Sequence, residues 1–395
     1  MLKKRYSLWT ISVALFFFWL FIGMPRVVPK IVPTAVKFLF IVTTLLGVIK
    51  NKYRINIEDS VCAWGICYIF LSAFSVLISK FLSMSLVMAE IQFVLVNICC
   101  FVIPERYFKN ALKKYMDFLT IVMVISIIFS AVTAAFGKVT FVNGERINYL
   151  ISPWLGQRKM GKIGHYGYSS IFSNPNPFGF YIVAAIAWVL ATKEKKLSTV
   201  IELLILTGGL LLPNSRAAYL GFFSVIVIYA YERTNSARTK ILICSAVFFA
   251  GVILLTFFGG RIYEILIAID LNGRQSAWEA MLNSIRENFW VGTGFSSGTK
   301  GVIESASGTF SAYLTIFVDT GLCGMILFLM MIVTTLGKTL KFIHHDKENG
   351  FLFFYVMFTF LMLLVGFVES VFMNITGRYL LWLFASRIAC NECKA

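Results

Sequence analysis

Twelve stretches of mostly apolar residues, each near the length that crosses a bilayer, follow one another along this chain of 395 residues. A helix needs about 20 such residues to span the hydrocarbon, where it satisfies its backbone polar groups internally. The runs are Leu8–Met24, Val28–Ile49, Ser60–Ser79, Met84–Ile103, Asp117–Gly137, Asn176–Ala191, Leu197–Leu212, Ser215–Tyr231, Thr239–Gly259, Thr309–Val333, Gly350–Ser370 and Asn374–Ala389. Two depart from the pattern: 176–191 is short, and 374–389 carries Arg378. Composition excludes a soluble alternative. The chain is 58% hydrophobic and 14% charged, with 39 phenylalanines, against roughly 45–50% apolar and about 25% charged for soluble domains. The expected fold class is an all-α polytopic membrane protein of about 12 transmembrane helices, residues 1–395 forming a single transmembrane domain.

Basic residues in short loops orient such a chain, because Lys and Arg are retained on the cytoplasmic side. Alternate segments carry Lys3/Lys4/Arg5, Lys50/Lys52/Arg54, Arg106/Lys109/Lys113/Lys114, Lys193/Lys195/Lys196, Arg233/Arg238/Lys240, Lys338/Lys341/Lys347 and Arg387/Lys394, which together make 21 of the 36 basic residues. Twelve spans with both termini cytoplasmic fit that alternation. The first run follows three basic residues as a signal peptide would, but Pro25, Arg26 and Pro29 come after it in place of a small-residue cleavage pattern, so an uncleaved first helix is expected.

Two long segments then fall on the outer side and are basic against the rule. The first outer loop, 138–175, has Lys138, Arg146, Arg158, Lys159 and Lys162 against Glu145. The second, 260–308, has Arg261, Arg274, Arg286 and Lys300 among Glu264, Asp270, Glu279, Glu287 and Glu304. An anionic ligand at the outer face, such as a lipid pyrophosphate, accounts for them; contact with anionic headgroups is the plainer reading. In the second loop Ile262, Ile265, Leu266 and Ile269 recur at helical spacing, Asn272-Gly273 breaks the pattern, and Trp278, Met281, Leu282, Ile285 and Phe289 resume it. Two short amphipathic helices at the interface are expected.

Arg274 falls in the first turn of the second of these, where free N–H groups and the helix dipole favour an anion and a planar guanidinium adds bidentate recognition; alternatively it snorkels, or stacks on Trp278. Arg216, in Leu-Leu-Pro213-Asn214-Ser215-Arg216, sits at the outer mouth of the eighth span among apolar residues. A charge there usually faces a cavity or a partner, with snorkelling as the alternative. Glu90, with Gln92 and Asn97 in the fourth span, either pairs structurally with an arginine or contacts a proton or substrate, and Asp319 in the tenth is similarly open.

Three segments resemble the superfamily of O-antigen ligases and Wzy-type polysaccharide polymerases: Phe172-Ser-Asn-Pro-Asn-Pro-Phe-Gly179; Asn214-Ser-Arg-Ala-Ala218; and Gly273-Arg274 through Trp278 to Asn288-Phe-Trp-Val-Gly-Thr-Gly-Phe295. Ser311-Ala-Tyr-Leu314 and Asp319-Thr-Gly-Leu-Cys-Gly324 follow, similar to the family's next signature. The likeness covers roughly 165–330. One departure stands out: Phe310 occupies the place where the family often has the histidine proposed to activate a ligase's acceptor, which favours a polymerase.

The resemblance implies a glycosyltransferase of the bacterial cytoplasmic (inner) membrane. It would move a growing glycan between undecaprenyl-diphosphate-linked repeat units at the outer face, and the product would be O-antigen, capsule or exopolysaccharide. The lipid diphosphate is itself the leaving group, so no cofactor is implied. Arg216 and Arg274 would stabilise the departing diphosphate, with Arg146 and Arg158 as further contacts. Glu304 or His165 would take the acceptor proton. Trp278, Asn176 and Tyr313 are expected substrate contacts. Membrane lipid, a chain-length regulator and a flippase are the expected partners. The competing readings are transfer to another acceptor, as in a ligase, and a lipid-linked oligosaccharide flippase; against the latter, the polar residues gather at the outer ends rather than along a central path.

Six of the eight cysteines fall within spans, and Cys390-Asn-Glu-Cys393 is a lone pair, so no metal site is expected. No aromatic-basic module suggests nucleic acid.

Overall fold

The computed structural model describes residues 7–23, 28–51, 59–136, 139–142, 145–148, 156–160, 165–172, 174–194, 196–247, 274–297, 311–345, 349–373, 375 and 377–393; within 133–167, at 274–276 and at 344–345 the description is of the backbone. Apolar length decides the elements. Helices α1 (Leu8–Ile22), α2 (Ile31–Asn51), α3 (Ser60–Leu77), α4 (Met84–Val102) and α5 (Phe108–Phe136) come first. After a small sheet follow α6 (Pro175–Thr192), α7 (Leu197–Gly209) and α8 (Arg216–Arg233). Helix α9 is described over 237–247. Then come α10 (Arg274–Glu287), α11 (Ala312–His345), α12 (Gly350–Val365) and α13 (Gly377–Glu392).

Among the described residues six helices are long and apolar enough to cross a membrane: Ile31–Asn51, Ser60–Leu77, Met84–Val102, Glu105–Val132, Pro175–Thr192 and Ala312–Ile343. Leu8–Ile22, Leu197–Gly209 and Gly350–Val365 are shorter apolar helices. The chain is thus a helical, polytopic membrane protein. The second half of the ninth run and the first expected amphipathic helix, 262–269, lie outside the described residues; the second amphipathic helix is α10.

Helix starts are written in capping residues, whose side-chain oxygens take the free N–H groups of a first turn. Asp59 accepts from Val61 N at 2.9 Å, Asn174 from Asn176 N at 3.0 Å ahead of Pro175, and Asn349 from Leu352 N at 3.2 Å. Exposure then sorts the bundle. Helices α6, α12 and α13 are buried nearly all round and form its centre. Phe38, Phe70, Leu77, Leu204 and Val333 are exposed on the outer helices, as lipid-facing side chains are. Aromatic pairs bind the interior: Phe384 lies 4.3 Å from Phe16 and 4.0 Å from Phe108 between ring centroids.

The first loop holds four short strands, β1 (Val139–Val142), β2 (Glu145–Asn148), β3 (Gly156–Met160) and β4 (His165–Ser170), paired in that order in one antiparallel sheet. Tyr168 N donates to Leu212 O at 2.9 Å, which ties the sheet to the turn between α7 and α8.

At the opposite end of the bundle an ion pair is fully buried. Arg387 Nε lies 3.5 Å from Asp59 Oδ2. Its Nη1 donates to the carbonyls of Cys100 and Ile103, the second at 3.1 Å. Arg387 is therefore a clamp joining α13 to the start of α3 and the end of α4. Beside it Lys109 reaches Glu392 at 2.7 Å, and Asn349 Nδ2 donates to the same carboxylate at 2.9 Å.

Candidate functional site

The end of the bundle at which α6, α8, α11 and α13 begin gathers the polar side chains that the sequence scatters. Asn176, in the first turn of α6, donates from Nδ2 to Glu369 Oε1 at 2.6 Å and accepts at Oδ1 from Ser215 Oγ at 2.9 Å. Ser215 is fully buried and is the N-cap of α8, accepting from Ala218 N at 3.4 Å. The chain reaches Ser215 through Asn214 at φ +46, a left-handed conformation that Asn tolerates. Helices α6 and α8 approach so closely that a Cβ on Gly179 would lie 2.6 Å from that of Ala218.

Arg216 follows Ser215 as the first residue of α8 and is exposed. It stands where the N–H groups of a first turn point outward, an arrangement that favours an anion. Behind it, Glu369 Oε2 lies 3.7 Å from Arg378 Nη1, with the two side chains 17% and 12% exposed. The Arg378 guanidinium lies over the Phe180 ring at 5.5 Å from its centroid. Neither Glu369 nor Arg378 was legible as a site residue in the sequence. The signal was a charge on each side of the short link between two apolar helices, and Arg378 read there only as a blemish in a span.

A second construction lies between the segment after α10 and helix α11. Gly321 is non-helical, at φ 66 and ψ −166, and breaks α11 in mid-course. A break frees carbonyls before it and N–H groups after it, and within a membrane these need partners. The 289–294 segment supplies them. Thr293 N donates to Val318 O at 2.8 Å and Gly294 N to Asp319 O at 3.0 Å, while Leu322 N donates to Phe289 O at 2.8 Å and Cys323 N to Trp290 O at 3.2 Å. Asp319 adds a side-chain anchor, accepting from Ser296 N at 2.9 Å. Phe295 stacks on Phe93 with centroids 4.3 Å apart. The two motif segments 288–295 and 319–324 thus fold against each other, and Asp319 has a structural partner in that contact.

The remaining candidates are distributed as follows. Arg274 opens α10 at its N-terminus, and its side chain lies outside the described residues. Trp278 is partly buried, and its indole N–H has no hydrogen-bond partner. Helix α10 rests on α11, with Ala277, Met281 and Ile285 against Val318. His165 begins β4, its backbone opposite Met160; Arg146 lies opposite Gln157 in β2–β3, and Arg158 opposite Gly167 in β3–β4. Their side chains, and Glu304 entirely, lie outside the described residues. Tyr313 donates its hydroxyl to Leu363 O at 2.6 Å and so ties α11 to α12. Glu90 accepts from Ser72 Oγ at 2.7 Å inside the bundle. Among the described residues no group of three or more His, Cys, Asp or Glu is placed to hold a metal ion. Burial raises the pKa of the Cys393 thiol, which disfavours the thiolate a metal would need.

Residues 201–329 match the family described as O-antigen ligase, a segment that opens in α7 and closes in α11 and so contains Arg216, Arg274 and the whole contact around Gly321. The match supports the O-antigen ligase/Wzy-type superfamily for this chain. No curated protein matches it.

Proposed function

We propose, with the O-antigen ligase-type segment at 201–329 as premise, that this chain is a polysaccharide polymerase of the bacterial cytoplasmic membrane. It joins repeat units carried on undecaprenyl diphosphate. The family implies glycosyltransferase-like chemistry on a lipid-linked glycan in a membrane. The observation that carries the reading is Arg216, exposed at the start of α8 and backed by the Ser215–Asn176–Glu369 chain.

The basic residues Lys50, Lys113, Lys193, Arg233 and Lys338 belong to the end of the bundle opposite Arg216. By the positive-inside rule that end is cytoplasmic and the Arg216 end faces out. Twelve spans with both termini inside complete this arrangement.

In the transfer, an acceptor sugar hydroxyl oxygen bonds to the anomeric carbon of the donor glycan. The bond from that carbon to the diphosphate oxygen breaks, and the electron pair leaves with the lipid diphosphate. The acceptor proton passes to a base, for which Glu304 and His165 are the candidates. Charge develops on the leaving diphosphate, and preorganised guanidinium groups stabilise it. Arg216 and Arg274 fill that role, each at a helix N-terminus. Arg146 and Arg158, on paired neighbouring strands of the sheet beside the α7–α8 turn, extend the cationic surface. A flippase delivers the units, and a chain-length regulator sets the product.

The family's description favours a second reading, transfer to another acceptor as a ligase does. The surface glycan of a deletion strain separates the two. Single lipid-linked repeats at the outer face without polymer support the polymerase. Polymer that stays on its lipid carrier means a ligase, and repeats retained inside mean a flippase.

A further inference from the structure

Glu369 and Arg378 each stand at the wrong end of a helix. Glu369 lies in the turn just past the C-terminus of α12, its backbone N–H bonded to Val365 O at 2.9 Å. Arg378 is the second residue of α13. A carboxylate is disfavoured by the negative end of a helix and a cation by the positive end. Their mutual contact does little to offset this: at 3.7 Å it is an ion pair, and Arg378 Nη1 has no hydrogen bond. The short bond of Glu369 goes instead to Asn176, at 2.6 Å, across 193 residues of chain. Asn176 passes the constraint on, because an amide whose N–H₂ is fixed by a carboxylate must turn its oxygen the other way, and that oxygen takes the Ser215 hydroxyl. Ser215 is the cap that sets where α8 begins, and Arg216 is the next residue.

We infer that Glu369, Asn176 and Ser215 are a positioning relay that fixes the direction in which Arg216 presents its guanidinium. The inference rests on the assignment of Arg216 to the diphosphate. Glu369 is not the base in this scheme: its Oε1 is taken by the Asn176 amide and its Oε2 faces Arg378. The relay is built from three segments that meet only in the fold, so it holds the start of α8 against α6 and the α12–α13 link together.

The test uses the full-length protein in lipid nanodiscs, with lipid-linked repeat units extracted from the deletion strain as the probe, and reads kcat and KM of elongation. Glu369→Ala and Asn176→Ala are expected to lower kcat by about 10²-fold, the cost of a misplaced catalytic contact, and to leave KM nearly unchanged. Glu369→Gln keeps an oxygen for the Asn176 amide and is expected to recover most of that loss. In an Arg216→Ala background Glu369→Ala should add no more than about twofold, because both act through one group.

Glu369→Gln as inactive as Glu369→Ala, at an unchanged melting temperature, would overturn the relay and make the carboxylate a chemical participant. So would a full additional loss in the Arg216→Ala background, or wild-type kcat in Asn176→Ala. Where Glu369→Ala fails to fold, Ser215→Ala carries the same comparison with one hydroxyl removed. If the wild-type protein does not elongate the extracted units, the polymerase reading fails. The same double-variant comparison on transfer to a second acceptor then judges the relay by itself.

Discussion

Gly321 of α11 and the backbone of Trp290 lie so close that a Cβ on the glycine would sit 2.4 Å from the Trp290 carbonyl carbon. Its φ of 66 with ψ of −166 is a region that residues with a side chain scarcely enter. Both facts come from one design, a helix opened so that a loop can be laid into it. Gly321→Ala is expected to destabilise the protein by more than the roughly 1–3 kcal/mol of backbone strain alone, since the loop is also displaced. Gly337, with nothing within 4 Å of an added Cβ, is the control. Gly337→Ala should be neutral or stabilising by up to about 1 kcal/mol. Melting temperatures in detergent compare the two, and equal values would mean that the loop does not depend on the break.

The anchor of that loop is Asp319, whose carboxylate accepts from Ser296 N at 2.9 Å. Asp319→Ala removes the acceptor of this part-buried hydrogen bond and should cost about 0.5–1.5 kcal/mol, read as faster amide exchange at Ser296. Asp319→Asn retains an acceptor and should lose less. Intact exchange protection in an inactive Asp319→Asn protein would instead give this carboxylate a chemical task.

Removing one partner of the buried Arg387–Asp59 pair strands the other. Arg387→Met is expected to destabilise by about 3–5 kcal/mol. Asp59→Asn in addition removes the stranded charge and keeps a cap oxygen for Val61 N, which Asp59 serves at 2.9 Å. The double variant should therefore melt above the single Arg387→Met variant. If it melts below it, the charge on Asp59 is matched by some other group.

Much of this architecture was readable in advance, and the exceptions have physical reasons. Long apolar runs and the caps Asp59, Ser83, Asn174 and Asn349 mark helices locally. The two least typical runs became α6 and α13, short or charge-bearing because protein rather than lipid surrounds them; 78% of the α6 window is buried. Arg387, counted among the basic residues of a cytoplasmic end, is instead spent as a buried clamp. The sheet had a local signal in Asn143-Gly144, a favoured hairpin dipeptide between two strand-like stretches. The Asn176–Glu369 contact had none, because nothing at either position names a partner so distant in sequence. Gly321 looks like any glycine in an apolar helix until Trp290 is placed against it.

Orientation can be read directly in a cysteine-free background. A single cysteine at Phe367, which is 60% exposed at the Arg216 end of the bundle, should react with a membrane-impermeant maleimide in intact cells. One at Lys341, near the far end of α11, should react only after lysis. The reverse pattern would turn the molecule over and place the site on the cytoplasmic side.

The arginine at the start of α8 carries the sharpest test. If Arg216 meets a diphosphate as charge develops on it, Arg216→Ala removes stabilisation made mainly in the transition state. Elongation should then fall by about 10²–10³-fold, the loss typical of one deleted electrostatic donor. Arg216→Lys keeps the charge but not the planar fork that grips two oxygens at once, so it should recover only a small part. Both substitutions lie at an exposed position whose cap, Ser215, is untouched, so protein level and melting temperature should hold. The measurement is the ratio of polymer to single repeats on cells carrying each variant at native level. Polymer at wild-type length in Arg216→Ala would remove the diphosphate from this end of α8. Full recovery by Arg216→Lys would leave a simple point charge as sufficient.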